Sequence, residues 1–202
     1  MRGIAIGWLA LALASGTAGA QTAQSAYSDL DLAKGCVFDP PVEGGDGHSG
    51  CAWCAGIGKV RVRFCEGDLR QSIEYGPVDD KGRHWASFGQ FNHMSPRIEW
   101  RLAGGRPFAA IQRRFIENDD PATGSPSKAS EGQVLVVTKV ATAADPVSCF
   151  IAFVDARANA NANELARQAA DSLGPGFRCG QDEARFHGAR GPFAGDPQES
   201  FE

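Results

Sequence analysis

The sequence predicts an α+β domain: an antiparallel meander of about six strands, with a C-terminal helix packed on one face, braced by disulfides. Three observations lead there. Between residues 59 and 116, several stretches alternate apolar and polar residues, as half-buried strands do. Two continuously apolar runs are followed by a helical stripe at residues 161–176. Six cysteines follow an export-type leader, an even count that reads as three disulfides.

The leader is MRGIAIGWLALALASGTAGA. It carries one charge at Arg2, an apolar run from Ile4 to Ala14 and small residues at Ala18–Gly19–Ala20. That order is a secretory signal peptide over residues 1–20. The run is shorter than the roughly 20 residues a span needs, so no membrane anchor is expected. The expected location is periplasmic or secreted. After cleavage, 19 Lys and Arg stand against 24 Asp and Glu. With no basic block interleaved with aromatics, nucleic acid is a poor partner.

Residues 21–58 form an N-terminal segment, polar at first, then rich in Gly and Pro over residues 39–50, DPPVEGGDGHSG. Such a loop needs fastening; Cys36 lies before it and Cys51 and Cys54 after it. An α+β domain is expected over residues 59–180. KVRVRF puts Val60, Val62 and Phe64 on one face, and LRQSIEY puts Leu69, Ile73 and Tyr75 on one. Phe64 opposite Leu69 would close this hairpin with a four-residue loop. Residues 77–96 read as a connection. RIEWRL alternates cleanly, and a strand follows from Phe108 to Ile116. QVLVVTKV and VSCFIAFVD are apolar at consecutive positions, so both of their faces should be covered.

The helix reads from Asn161, with Glu164 three residues on in the manner of a capping box. Leu165, Ala166, Ala169, Ala170 and Leu173 form its stripe, and Gly174–Pro175 ends it. A Cys149–Cys179 bond would clamp this helix to the sheet, contributing about 3–4 kcal/mol on the chain-entropy model. Residues 181–202 have no periodicity and read as a disordered tail. Spacing alone does not select among the fifteen possible pairings of six cysteines.

Several stretches together resemble one family: EGDLR with YG, then EWRL, RPFAAI, and CFIAFVDARANANANELARQAAD ending in FRCG. These are similar to an uncharacterised family of small exported, periplasmic proteobacterial proteins, from about Tyr27 to Gly180. The resemblance implies export and a single domain, and carries no activity and no catalytic residues. It also implies counterparts of Cys36, Cys54, Cys149 and Cys179. Cys51 and Cys65 are then additions that pair with each other and leave Cys36 to Cys54.

Two chemistries compete with a purely structural use of these residues. Cys51-x-x-Cys54 has thiol–disulfide oxidoreductase spacing, but AGIGKV after it does not start a helix that would lower a thiol pKa. His48, Cys51, Cys54 and Cys65 have metal-ligand spacing, although an exported chain oxidises such thiols. Haem attachment is excluded, because Ala55 stands where the motif needs His. A small hydrolase would join His84 or His93 to a carboxylate. No Gly-x-Ser-x-Gly, His-Glu-x-x-His or phosphate-loop signature occurs. The expected function is therefore non-catalytic: an accessory or binding protein of the cell envelope, without metal or cofactor. Its partner would be an envelope protein or a glycan, met at a loop surface of Trp53, Trp85 and Phe88.

Overall fold

The computed structural model describes residues 23–41, 49–78 and 84–201. The leader and His48 lie outside the described residues. Among the described residues the strands are β1 (Gln24–Asp29), β2 (Cys36–Phe38), β3 (Gly50–Ala55), β4 (Arg61–Gly67), β5 (Arg70–Tyr75), β6 (His84–Phe88), β7 (Asn92–Ala103), β8 (Arg106–Ile116), β9 (Gly132–Lys139) and β10 (Phe150–Asp155). Helix α1 (Ala162–Leu173) then precedes β11 (Arg185–Phe186) and β12 (Pro197–Phe201).

This is not the predicted α+β meander. Strands hold 49% of the described residues and helix 9%, so the fold is mainly β. The large sheet is mixed, ordered β11-β10-β9-β8-β7-β5-β4-β3-β2, with β1 also on β7. Strand β6 interrupts the up-and-down course: it leaves this sheet to pair with β12. As a result β5 and β7 meet in parallel, at Arg70 and Asn92. β10 and β11 are parallel too.

The central strands have both faces covered, as their continuous apolar runs require. On one face Ala109 and Ile111 of β8, Leu135 and Val137 of β9, and Ile151 and Val154 of β10 meet the helix. Ala162, Ala166, Ala169 and Ala170 are the helix residues buried there. Their small side chains let α1 lie close to the sheet. Asn161 stands at the N-cap but makes no side-chain cap hydrogen bond, so the expected capping box is not formed.

The other face is covered in two parts. The β3–β5 ribbon folds over it, so that Ala52, Val62, Phe64, Ile73 and Tyr75 pack on Ile98, Trp100 and Ala110. Trp100 is wholly buried, and its indole N–H donates to Ser28 Oγ at 2.9 Å, leaving no unsatisfied polar atom. Farther along, Ala86 and Phe88 of β6 pack on Ile116, Val134, Val136, Phe150 and Phe153. Arg114 is buried at the junction of these parts. It donates to Asn92 Oδ1 at 2.7 Å and to Gln71 O, and burial, partly opposed by Tyr75, lowers its pKa to about 10.

The β4–β5 turn also differs from expectation. Phe64 pairs with Ile73 and Gly67 with Arg70, which leaves a two-residue loop. Asp68 and Leu69 occupy it with φ of 50° and 57°. Two positive φ values give the turn whose twist matches that of the flanking strands. Leu69 accordingly points out to solvent.

Residues 181–201 are not a disordered tail. β11 adds to β10, β12 pairs with β6, and Ala194 is buried. Asp155 accepts the Gly191 N–H at 2.8 Å. Asn159 both donates to Ala189 O and accepts the Ala189 N–H. Backbone pairing and single polar contacts hold this segment, and neither produces hydrophobic periodicity.

All six cysteines are bonded: Cys36–Cys54, Cys51–Cys65 and Cys149–Cys179. The first two pairs are directly opposed residues of neighbouring strands. The third joins the entry of β10 to the segment after α1. Among the described residues, no helix is long and apolar enough to cross a membrane.

Candidate binding cleft

The ribbon and the central strands separate at one end. Four segments surround the gap: the β3–β4 turn, the chain leaving β5, the β7–β8 turn and the chain leaving β9. They enclose a cleft of about 480 Å³, within the range of small-molecule sites. Its walls are Ile57, Val60, Pro77, Leu102, Pro107, Val140 and Ala141. Val60, Leu102 and Val140 also belong to the core between ribbon and central strands, so the cleft is the open mouth of that core.

Close backbone approaches shape it. Gly76 has φ of +103°, and a Cβ there would lie 2.4 Å from Ala141 O. Only glycine lets the chain leaving β5 touch the chain leaving β9 in this way. Gly76 N–H donates to Arg61 O at 2.8 Å, and Ala141 N–H donates to Tyr75 O at 2.7 Å. One residue before the lining residue Ile57, a Cβ on Gly56 would lie 3.0 Å from the Trp100 ring, so bare backbone lies against that indole.

Among the described residues, the charged ones lining the cleft are Lys59, Arg61 and Arg106, and no carboxylate lines it. Among the described residues, none of the three pairs with a carboxylate. The arrangement is therefore an apolar hollow with a cationic rim. Arg61 has a second contact, its guanidinium lying 4.0 Å from the Trp53 ring centroid. Arg63 lies over the same ring at 5.2 Å and pairs with Asp39.

Of the predicted recognition surface, Phe88 is not exposed. Trp53 lies under two arginines on the ribbon, Trp85 is half-buried on β6, and Phe88 is wholly buried. The strands of Trp53 and Trp85 belong to different sheets, and Phe88, being wholly buried, offers no surface to a glycan or protein.

Cys51 and Cys54 cannot act together. Three residues apart on one strand, they face opposite sides, and each is bonded elsewhere, to Cys65 and Cys36. Among the described residues, no group of three potential ligands could hold a metal ion.

His84 does meet carboxylates, two of them: Nδ1 lies 2.9 Å from Glu74 Oε1 and Nε2 lies 3.0 Å from Glu199 Oε1. Burial pulls its pKa down, but the hydrogen bonds and charges of Glu199 and Glu74 outweigh this and raise it to about 9. A charged imidazole donating from both nitrogens has no lone pair with which to take a proton from a substrate. It is a clamp between β5, β6 and β12. His93 is exposed and stacks on Phe115, with ring centroids 5.0 Å apart. Asp155 is a turn staple that accepts the N–H groups of Arg157, Ala158 and Gly191.

Sequence reasoning missed Lys59 and Arg106. A signal was visible: each follows a glycine in a hairpin turn, as Gly58–Lys59 and Gly105–Arg106. What it lacked was the fold that brings those two turns together. In comparisons with known proteins, no family model, no curated protein and no solved structure matches this chain.

Proposed function

We propose that this protein is an exported, non-catalytic binding domain of the cell envelope whose end cleft takes a small amphiphilic anion. The apolar part of the ligand lies between Val60, Leu102 and Val140. Its carboxylate or phosphate head meets Lys59, Arg61 and Arg106. The observation that carries this reading is the pattern of the cleft's described lining: apolar walls with the three cations Lys59, Arg61 and Arg106 at their rim. A buried head group bonded to guanidinium and ammonium donors is recognised strongly, while the tail supplies non-directional burial.

Three disulfides support a location outside the cytoplasm, where such bonds persist, and the leader supports export. The resemblance to small exported proteobacterial proteins fits the same placement. Against the enzymatic alternatives stand the separate pairing of Cys51 and Cys54 and the double occupancy of His84.

The test is a fluorescence titration with decanoate and its uncharged counterpart decanol. Trp53 lies under the lining residue Arg61, and Trp100 lies against Gly56, next to the lining residue Ile57, so both report occupancy. Decanoate is expected to give a saturable change, and a Lys59→Ala/Arg106→Ala variant to weaken it about tenfold or more. Equal affinity for decanol, or no saturable change with either, would sink the proposal.

A further inference from the structure

A second cleft, of about 240 Å³, lies on the helix side of the sheet. It shares no lining residue with the first. Ile111 and Leu135 form its apolar floor, both members of the helix-side core. Above them three guanidinium groups arrive from three elements: Arg97 from β7, Arg113 from β8 and Arg167 from α1. Tyr27 of β1, Ser95 of β7 and Asn163 of α1 complete the polar lining, with Glu99 as the one carboxylate among the described lining residues.

Existing bonds show how much of this charge is already met. Glu99 takes Arg167, at 2.7 Å from Nε, and Arg167 also donates to the Tyr27 hydroxyl at 3.3 Å. Arg113 donates to a neutral group, Gln133 Oε1, at 3.0 Å. Arg97 lies 5.0 Å from the Tyr27 ring centroid and forms an exposed ion pair with Asp29, its Nη1 donating to both carboxylate oxygens at 3.3 and 3.4 Å. Glu99 thus answers Arg167 and Asp29 answers Arg97 from outside the cleft lining, while Arg113 meets no carboxylate among the described residues; Arg97 and Arg113 each use one nitrogen in these bonds and keep donors to spare. An arginine fork carries five N–H donors and no acceptor, so the unmet valence here is for an anion. The donors converge from several directions. A planar carboxylate offers two oxygens in one plane, whereas a tetrahedral phosphate presents oxygens on several sides.

The geometry points to a second binding site, for a small phosphate group, held by Arg97 and Arg113 and bordered by Arg167, Tyr27 and Asn163. Arginine suits it because its fork matches phosphate oxygens two at a time. The site does not depend on the amphiphile reading of the first cleft.

Amide chemical-shift titration of the intact oxidised protein with inorganic phosphate tests it, against chloride at equal ionic strength. Saturable shifts are expected at Tyr27, Arg113 and Asn163 with phosphate and not with chloride. Arg113→Gln should weaken binding about tenfold. Arg97→Gln, at an exposed position that leaves the fold alone, should weaken it several-fold, so the reading stays testable if the Arg113 variant does not fold. Shifts that never saturate, that chloride reproduces, or that survive Arg97→Gln and Arg113→Gln unchanged would overturn the site.

Discussion

The helix and the outermost ribbon strands are attached to the same molecule by different means. α1 lays four buried alanines on Ile151, Val154 and their neighbours; its one covalent tie lies beyond its end, at Cys179. β2 is three residues long, and Val37 and Phe38 are 76% and 56% exposed. That strand buries too little apolar surface to offset the backbone entropy of ordering it. Two disulfides, Cys36–Cys54 and Cys51–Cys65, stitch β2, β3 and β4 into a ribbon. Bonds thus do at the edge what packing does under the helix. The placement also serves the cleft, because Ile57, Lys59 and Arg61 follow directly from β3. A braced ribbon holds one wall of the hollow in place without filling it.

The largest test of this contrast removes the ribbon's braces. Replacing Cys36, Cys54, Cys51 and Cys65 with Ser should cost about 6 kcal/mol, near 3 for each short loop closed. Hydrogen exchange should show where the loss falls. Amides of β2, β3 and the turn at residues 56–60 are expected to lose protection first, while β9 and β10 keep theirs in the surviving folded fraction. Protection lost evenly across the sheet would mean that the ribbon is held by the same cooperative packing as the helix.

The converse test opens a cavity under the helix. Ile151 is wholly buried and touches no cystine-bearing strand of the ribbon. Ile151→Ala should cost about 4 kcal/mol in denaturant unfolding, with no selective change at β2 and β3. A loss below about 1 kcal/mol would mean that the helix-side core adjusts as freely as an edge.

The same contrast explains what could be read from the sequence. Strands that bury side chains announced themselves: the alternation at Arg97–Leu102 lies inside β7, and the continuous run at residues 133–140 takes in all of β9 but its first residue. The alanine stripe marks α1 because packing demands small residues there. β2, β3, β6, β11 and β12 carry no such mark. β2 and β11 have three and two residues, too short for a period. β3 reads GCAWCA, whose inward residues, Ala52 and Cys54, are small and weakly apolar. Segments held by backbone pairing, cystines or a buried ion pair leave little hydropathic trace, which is why a six-strand meander stood in for a larger mixed sheet. The cleft stayed hidden for the same reason: Lys59 and Arg106 are 47 positions apart, and only the fold makes them neighbours.

The smallest test falls on the joint between the two regions. His84 on β6 binds Glu74 of the ribbon and Glu199 of β12, while Glu199 Oε1 also accepts the Phe150 N–H of β10 at 2.8 Å. One charged imidazole thereby ties ribbon, closing strand and central sheet together. Burial opposes its charge, but Glu199 and Glu74 prevail and raise its pKa to about 9, from 6.5. The folded state therefore binds this proton more tightly than the unfolded chain does. Its stabilisation is complete below about pH 6.5 and fades as pH rises through about 9. The size is on the order of 2–3 kcal/mol. In denaturant unfolding the native protein should lose about that much between pH 6 and pH 10, and His84→Gln should flatten this part of the profile. Because Glu199 also reaches Phe150, the loss should free β12 and its partner β6 before the helix. An unchanged profile in the variant would show that the joint holds through backbone pairing of β6 with β12 alone.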